Sequence, residues 1–261
     1  MKRYEFEEEK LKILLYGQPG SGKTRLASTA AWDERLAPAL MLEAFGNPIS
    51  IRDYDQRPDI VTIEDMSDFN RPYQWFQMGQ PEDAPFVADH NLNPPYKTLI
   101  VDGLTEVQRF VIRKISGLDF TSPGTLTPKM DRQGFGRLLG TMLNWALHYV
   151  QLDVNVILTS LEADKTAGEG RKCWPLLWGQ AGNEICGYVY SVARLVTQLN
   201  APKYLLTAEE DPLTKQTQNV ALFRETKTYY GKDQCGMSRH HVTDPTLTKI
   251  MDLLSGASTQ P

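Results

Sequence analysis

Residues Gly17 to Thr24 read GQPGSGKT, between the apolar run LKILLYG and the helix-compatible stretch RLASTAA. Glycines at this spacing let backbone N–H groups turn toward one anion, and a helix starting at Gly22 points its positive end at the same place. Lys23 is placed to reach the β- and γ-phosphates of a nucleoside triphosphate, and the Thr24 hydroxyl to bind Mg²⁺. Gly17, Gln18, Pro19, Gly20, Ser21, Gly22, Lys23, Thr24 and Arg25 are therefore the predicted nucleotide-binding residues, with ATP and Mg²⁺ as ligands. A second oxygen ligand for the metal is expected at the end of another strand, and YKTLIVDG supplies Asp102 there. The competing role for Asp102 is a plain cap on the helix GLTEVQRFVIRKI.

These residues need a scaffold. Strand-length apolar runs occur at Leu11 to Tyr16, Ala39 to Leu42, Ile60 to Ile63, Thr98 to Val101 and Val154 to Thr159, with helical patterns between most of them. The alternation predicts an α/β domain with a mainly parallel sheet flanked by helices. Phe135, Leu138, Leu139, Met142, Ala146, Tyr149 and Val150 recur at three and four, the core stripe of one helix. The aromatics of RPYQWF read as core or helix-face residues. Residues 79–96, 117–131 and 163–172 read as loops from their Pro, Gly, Asn and charged content. SVARLVTQLN and NVALFRETKT read as antiparallel strands extending the sheet, followed by a short helix from Pro245 to Leu254.

At 261 residues and 41% hydrophobic content the chain suits one domain. Its expected parts are an N-terminal tail 1–9, a P-loop core 10–199, a C-terminal antiparallel extension 200–255 and a tail 256–261. No run approaches the length that spans a bilayer, the N-terminus has no apolar leader-like segment, and Cys173, Cys186 and Cys235 lack paired spacing. A cytoplasmic protein without a membrane partner is expected. The net charge of −4 argues against a surface coated in base for duplex DNA, although the acidic excess lies in the first 110 residues. His90, His148, His240 and His241 show no metal-ligand spacing.

The distance from Lys23 to Asp102 leaves room for a strand inserted between the two motif strands, as in RecA and AAA+ ATPases and less typically in GTPases. AAA+ proteins usually place the catalytic glutamate directly after the Walker B aspartate; here that position is Gly103, so the base must come from elsewhere. The order YGQPGSGKT, LMLEAFG, YKTLIVDGL, NVILTSLEAD, LLWGQAGNEICGYVYSVARLV and TKTYYGKDQCG resembles the small RecA-core ATPases of tailed bacteriophages over most of residues 10–255. That family is associated with single-strand annealing and recombination.

The resemblance implies a RecA-like P-loop NTPase core with C-terminal antiparallel strands. It implies Glu43 as the water-activating base, with Glu106 in reserve, and Thr159 with Ser160 as γ-phosphate sensors. Lys232 is implied as a cation completing a neighbouring subunit's site. The chain departs from the family in three places. Glu43 stands without the Asp of an Asp-x-Glu pair, Leu161 replaces a histidine, and Lys232-Asp233-Gln234 replaces Lys-Asp-Arg.

The loops 117–131 and 163–172 would face single-stranded DNA through Lys129, Lys165, Arg171 and Lys172. The implied function is a DNA-stimulated ATPase in recombination, annealing or replication. Its implied partners are single-stranded DNA, further copies of the chain in a ring or filament, and a single-strand-binding protein. A nucleotide-gated assembly or loader subunit with little turnover and a small-molecule P-loop kinase are the alternatives.

Overall fold

Strands that alternate large apolar side chains on both faces must be covered on both faces, and this chain is built that way. The computed structural model describes residues 10–44, 48–117, 131–167, 170–198, 218–223, 230–233 and 241–254. The strands are β1 (Lys12–Gly17), β2 (Ala39–Glu43), β3 (Asp59–Thr62), β4 (Thr98–Asp102), β5 (Asn155–Ala167), β6 (Gly170–Pro175), β7 (Ser191–Gln198), β8 (Gln218–Leu222), β9 (Lys232–Asp233) and β10 (His241–Thr243). The helices are α1 (Lys23–Ser28), α2 (Asn70–Gln77), α3 (Pro85–His90), α4 (Leu104–Ser116), α5 (Arg132–Val150), α6 (Ala181–Tyr188) and α7 (Leu247–Leu254).

The sheet runs β10-β8-β7-β1-β5-β4-β2-β3, with β6 paired to β5 and β9 to β7. From β7 to β3 every neighbour is parallel, whereas β8 and β10 continue the sheet antiparallel. The strand inserted between the two motif strands is β5, which follows Asp102 in the chain. Leu14, Tyr16, Leu40, Leu42, Leu99, Val101, Val156 and Leu158 pack with residues of α2 to α6 on one face. Ile13, Leu15, Met41, Ile100 and Ile157 pack with α1 and α7 on the other. The result is three layers, with β1 followed by a helix on one face and β4 by a helix on the other.

Several expectations are corrected. Residues 163–172 are not a loop over their described part: β5 runs on past Thr159 and pairs with β6 as a hairpin, Lys165 opposite Lys172 and Thr166 opposite Arg171. The segment gains backbone partners from its own return strand, so it needs no apolar alternation. Within 79–96, Pro85 opens α3, since a proline at the first helical position loses no hydrogen bond. SVARLVTQ is parallel to β1 because α6 carries the chain across before it; only its pairing with β8 and β9 is antiparallel. Phe135 leaves the expected core stripe: it is 46% exposed and lies 5.6 Å from the ring of Trp178. Trp75 and Phe76 are buried, as core aromatics.

Candidate active site

The strands β1, β5, β4 and β2 lie side by side, and Thr159 of β5, Asp102 of β4, Glu43 of β2 and, after the loop that follows β1, Lys23 and Thr24 of α1 meet at the same edge of the sheet. Glu43 and Asp102 are level in the register of β2 and β4. Lys23, Thr24, Glu43, Asp102, Glu106 and Thr159 line one cavity of about 230 Å³, together with Pro19, Pro48 and Ser50. This edge is the crevice that forms where successive helices leave a parallel sheet on opposite faces.

The phosphate loop takes its shape from close packing. A Cβ on Gly17 would sit 2.4 Å from the Leu195 carbonyl oxygen of β7 and 2.7 Å from Ser21 Oγ, so only glycine fits. Gly22 precedes α1 at φ 87°, a left-handed conformation that side chains disfavour. Ser21 is buried and its N–H donates to Gln18 O at 3.1 Å, closing the turn, while Gln18, Pro19 and Gly20 are exposed. The Lys23 ammonium donates to Gly17 O at 3.1 Å and Gln18 O at 2.8 Å. Desolvation lowers its pKa, opposed by the charges of Asp102 and Glu162. Carbonyl oxygens are weak partners for a desolvated cation, and a phosphate oxygen is a stronger one.

Asp102 is buried and uses both oxygens. Thr24 Oγ1 donates to Oδ2 at 2.6 Å, and Thr159 Oγ1 donates to Oδ1 at 2.5 Å. Thr159 in turn accepts the N–H of Gly103 at 2.9 Å. A hydroxyl and a carboxylate in contact at the cavity mouth are the hard oxygen donors that Mg²⁺ takes, usually with phosphate and water completing its shell. The donor set therefore fits Mg²⁺. Among the described residues no group of three or more His, Cys, Asp or Glu is placed to hold a metal by itself.

Glu43 is only 3% exposed at the end of β2. Glu106 also reaches the cavity, but Arg109 holds both its carboxylate oxygens at 2.7 Å. Ser160 is turned to other partners: its hydroxyl donates to Leu161 O at 3.0 Å and lies 3.3 Å from Thr105 Oγ1. Thr105, Pro48 and Ser50 escaped the sequence reading, because they come from a helix start and a short turn with no motif of their own.

Other expected residues lie elsewhere. Arg25 is not among the residues that line the cavity; its guanidinium donates to Ser50 O at 2.8 Å. Lys232 donates to Cys186 O, Gly187 O and Val189 O at 3.0, 2.9 and 2.7 Å, at the end of α6. Within the chain it is not brought to the phosphate loop. Lys129 lies outside the described residues, as do His240 and Cys235. Lys165 and Arg171 are placed by backbone register in the β5–β6 hairpin, and the Lys172 ammonium sits 5.3 Å from the ring of Trp174.

Among the described residues no helix is long and apolar enough to cross a membrane. No curated protein matches the chain. A family profile described as an AAA domain matches residues 9–235, which takes in every strand from β1 to β9 and the whole cavity. A phosphate loop closed on β7, an aspartate joined to its threonine and a profile match over most of the length agree: the chain belongs to the AAA-domain family of P-loop NTPases.

Proposed function

We propose that the protein is a Mg²⁺-dependent, RecA-like ATPase that assembles with copies of itself and acts on single-stranded DNA in phage recombination, annealing or replication. The observation that carries the enzymatic part is the convergence of Lys23, Thr24, Asp102 and Glu43 on one cavity. Thr24 and Asp102 would hold Mg²⁺, which when bound neutralises charge on the phosphate oxygens. Lys23 exchanges its carbonyl partners for phosphate oxygens. Glu43, level with Asp102, orients the attacking water and accepts its proton. Arg109 occupies both carboxylate oxygens of Glu106, which leaves them less available to a water than those of a carboxylate without such a clasp. Thr159 spends its hydroxyl on Asp102 and acts as a positioning residue.

The DNA part is supported by continuity. β5 carries Thr159 and Leu161 at the cavity and runs without a break into the hairpin bearing Lys165. A single strand thus joins the phosphate site to a hairpin that carries Lys165, Arg171 and Lys172, residue types that suit a phosphate backbone. The test is ATP turnover with and without single-stranded DNA, plus binding across a salt series for the parent and a Lys165→Ala, Arg171→Ala, Lys172→Ala variant. Stimulation by DNA is expected, and each lost phosphate contact should lower the logarithmic salt slope by about 0.7. Turnover indifferent to DNA, or an unchanged slope in the variant, contradicts the DNA role.

A further inference from the structure

A hollow of about 610 Å³ lies between α2 and α5, with Lys114 of α4 in its lining, and shares no residue with the nucleotide cavity. Buried Phe69, Trp145 and Tyr149 line it together with exposed Asn70, Gln74 and Asn144. The rings fix the indole of Trp145: Phe69 meets it edge-on at 5.2 Å, and Tyr149 lies 4.7 Å away with its hydroxyl donating to Phe69 O at 2.6 Å. Trp145 is 8% exposed, and its Nε1 is the one buried side-chain polar atom among the described residues without a hydrogen-bond partner. A native fold rarely leaves a buried donor in that state, so the atom points to an acceptor brought from elsewhere.

The charges lining the hollow have one sign. Lys114 and His148 line it, and no Asp or Glu does. Asp65 feels the Lys114 charge, but Ser67 already engages its carboxylate through both N–H and hydroxyl. Tyr73 adds another ring, 5.5 Å from those of His148 and Tyr149. Aromatic faces, side-chain amides and a cation suit a peptide that carries carboxylates beside an aromatic residue.

The chain holds such a segment. Residues 4–9, outside the described part, read YEFEEE, four glutamates beside Tyr4 and Phe6. The chain that follows is anchored next to α5: the Leu11 N–H donates to Asn155 Oδ1 at 2.8 Å, and the Lys12 ammonium donates to Leu152 O at 2.6 Å, just past the helix end. His148 of the hollow lies about one helical turn earlier. Six residues of chain span up to about 20 Å, and a tether this short gives an effective concentration on the order of millimolar.

We propose that the hollow between α2 and α5 is a peptide site occupied by residues 4–9 of the same chain, a glutamate carboxylate accepting from Trp145 Nε1 and the acidic run facing Lys114. The test uses the full chain labelled with ¹⁵N-tryptophan, the Trp145 indole N–H being assigned with Trp145→Phe. The parent is compared with a variant carrying Glu5→Gln, Glu7→Gln, Glu8→Gln and Glu9→Gln. The Trp145 signal should shift in that variant, and excess synthetic peptide YEFEEE should return it to the parental position. Read by anisotropy of labelled peptide on the quadruple variant, adding Trp145→Phe should weaken binding roughly tenfold. Lys114→Ala, at an exposed position, should weaken it about threefold. The proposal is overturned if the Trp145 signal is the same in parent and quadruple variant, if the peptide leaves it unmoved, or if Lys114→Ala binds the peptide as before. A parental signal that changes on dilution would give the site to a second copy's segment and overturn the assignment to the same chain.

Discussion

Asp102 is the residue on which the site turns, because its two oxygens are fixed from opposite sides by Thr24 and Thr159. Gly103 explains why no glutamate follows it. That position has φ 106°, where any side chain is strained, and its N–H is taken by Thr159. Lys23, Thr24 and Asp102 were legible in sequence because motif spacing ties each to a strand end. The partner of Asp102 was not, since Thr159 reaches it only through the pairing of β4 with β5. Thr159→Val removes both bonds and leaves the Gly103 N–H without its acceptor, which costs about 1–3 kcal/mol. Turnover should then demand more Mg²⁺, while Thr159→Ser stays near the parent. Titrating turnover with Mg²⁺ beside urea unfolding checks this; lost stability with an unchanged Mg²⁺ requirement makes Thr159 purely structural.

Among the elements, α6 and the β5–β6 hairpin were the least visible in sequence. α6 is eight residues long and contains two glycines, so its periodicity is faint, yet it decides that β7 runs parallel to β1. The hairpin follows from pairing between two polar strands, which composition alone reads as a loop. Lys232 belongs to this scale too. Its ammonium meets three carbonyls at the C-terminal end of α6, where a cation offsets the helix dipole. Lys232→Met should lower stability by about 1 kcal/mol, measured by urea unfolding, with ATP turnover per folded molecule kept. A loss of turnover at parental stability would instead favour the role in a neighbouring subunit's site.

At the scale of the whole molecule, the parallel core was legible because its strands read as near-continuous apolar runs, buried on both faces. The strand order was less so, since β5 enters the sheet between two strands that precede it in the chain. That insertion sets Thr159 between the phosphate loop and Asp102, and places the helices so that the crevice opens over all four strand ends. The central claim is that this crevice hydrolyses Mg²⁺-ATP, with Lys23 as its phosphate cation. The most direct measurement is phosphate release from Mg²⁺-ATP by the parent and by Lys23→Ala, each verified as folded. The account predicts steady turnover by the parent and a fall to background in the variant. Equal turnover by the two proteins, or none by the parent with DNA present, would contradict it.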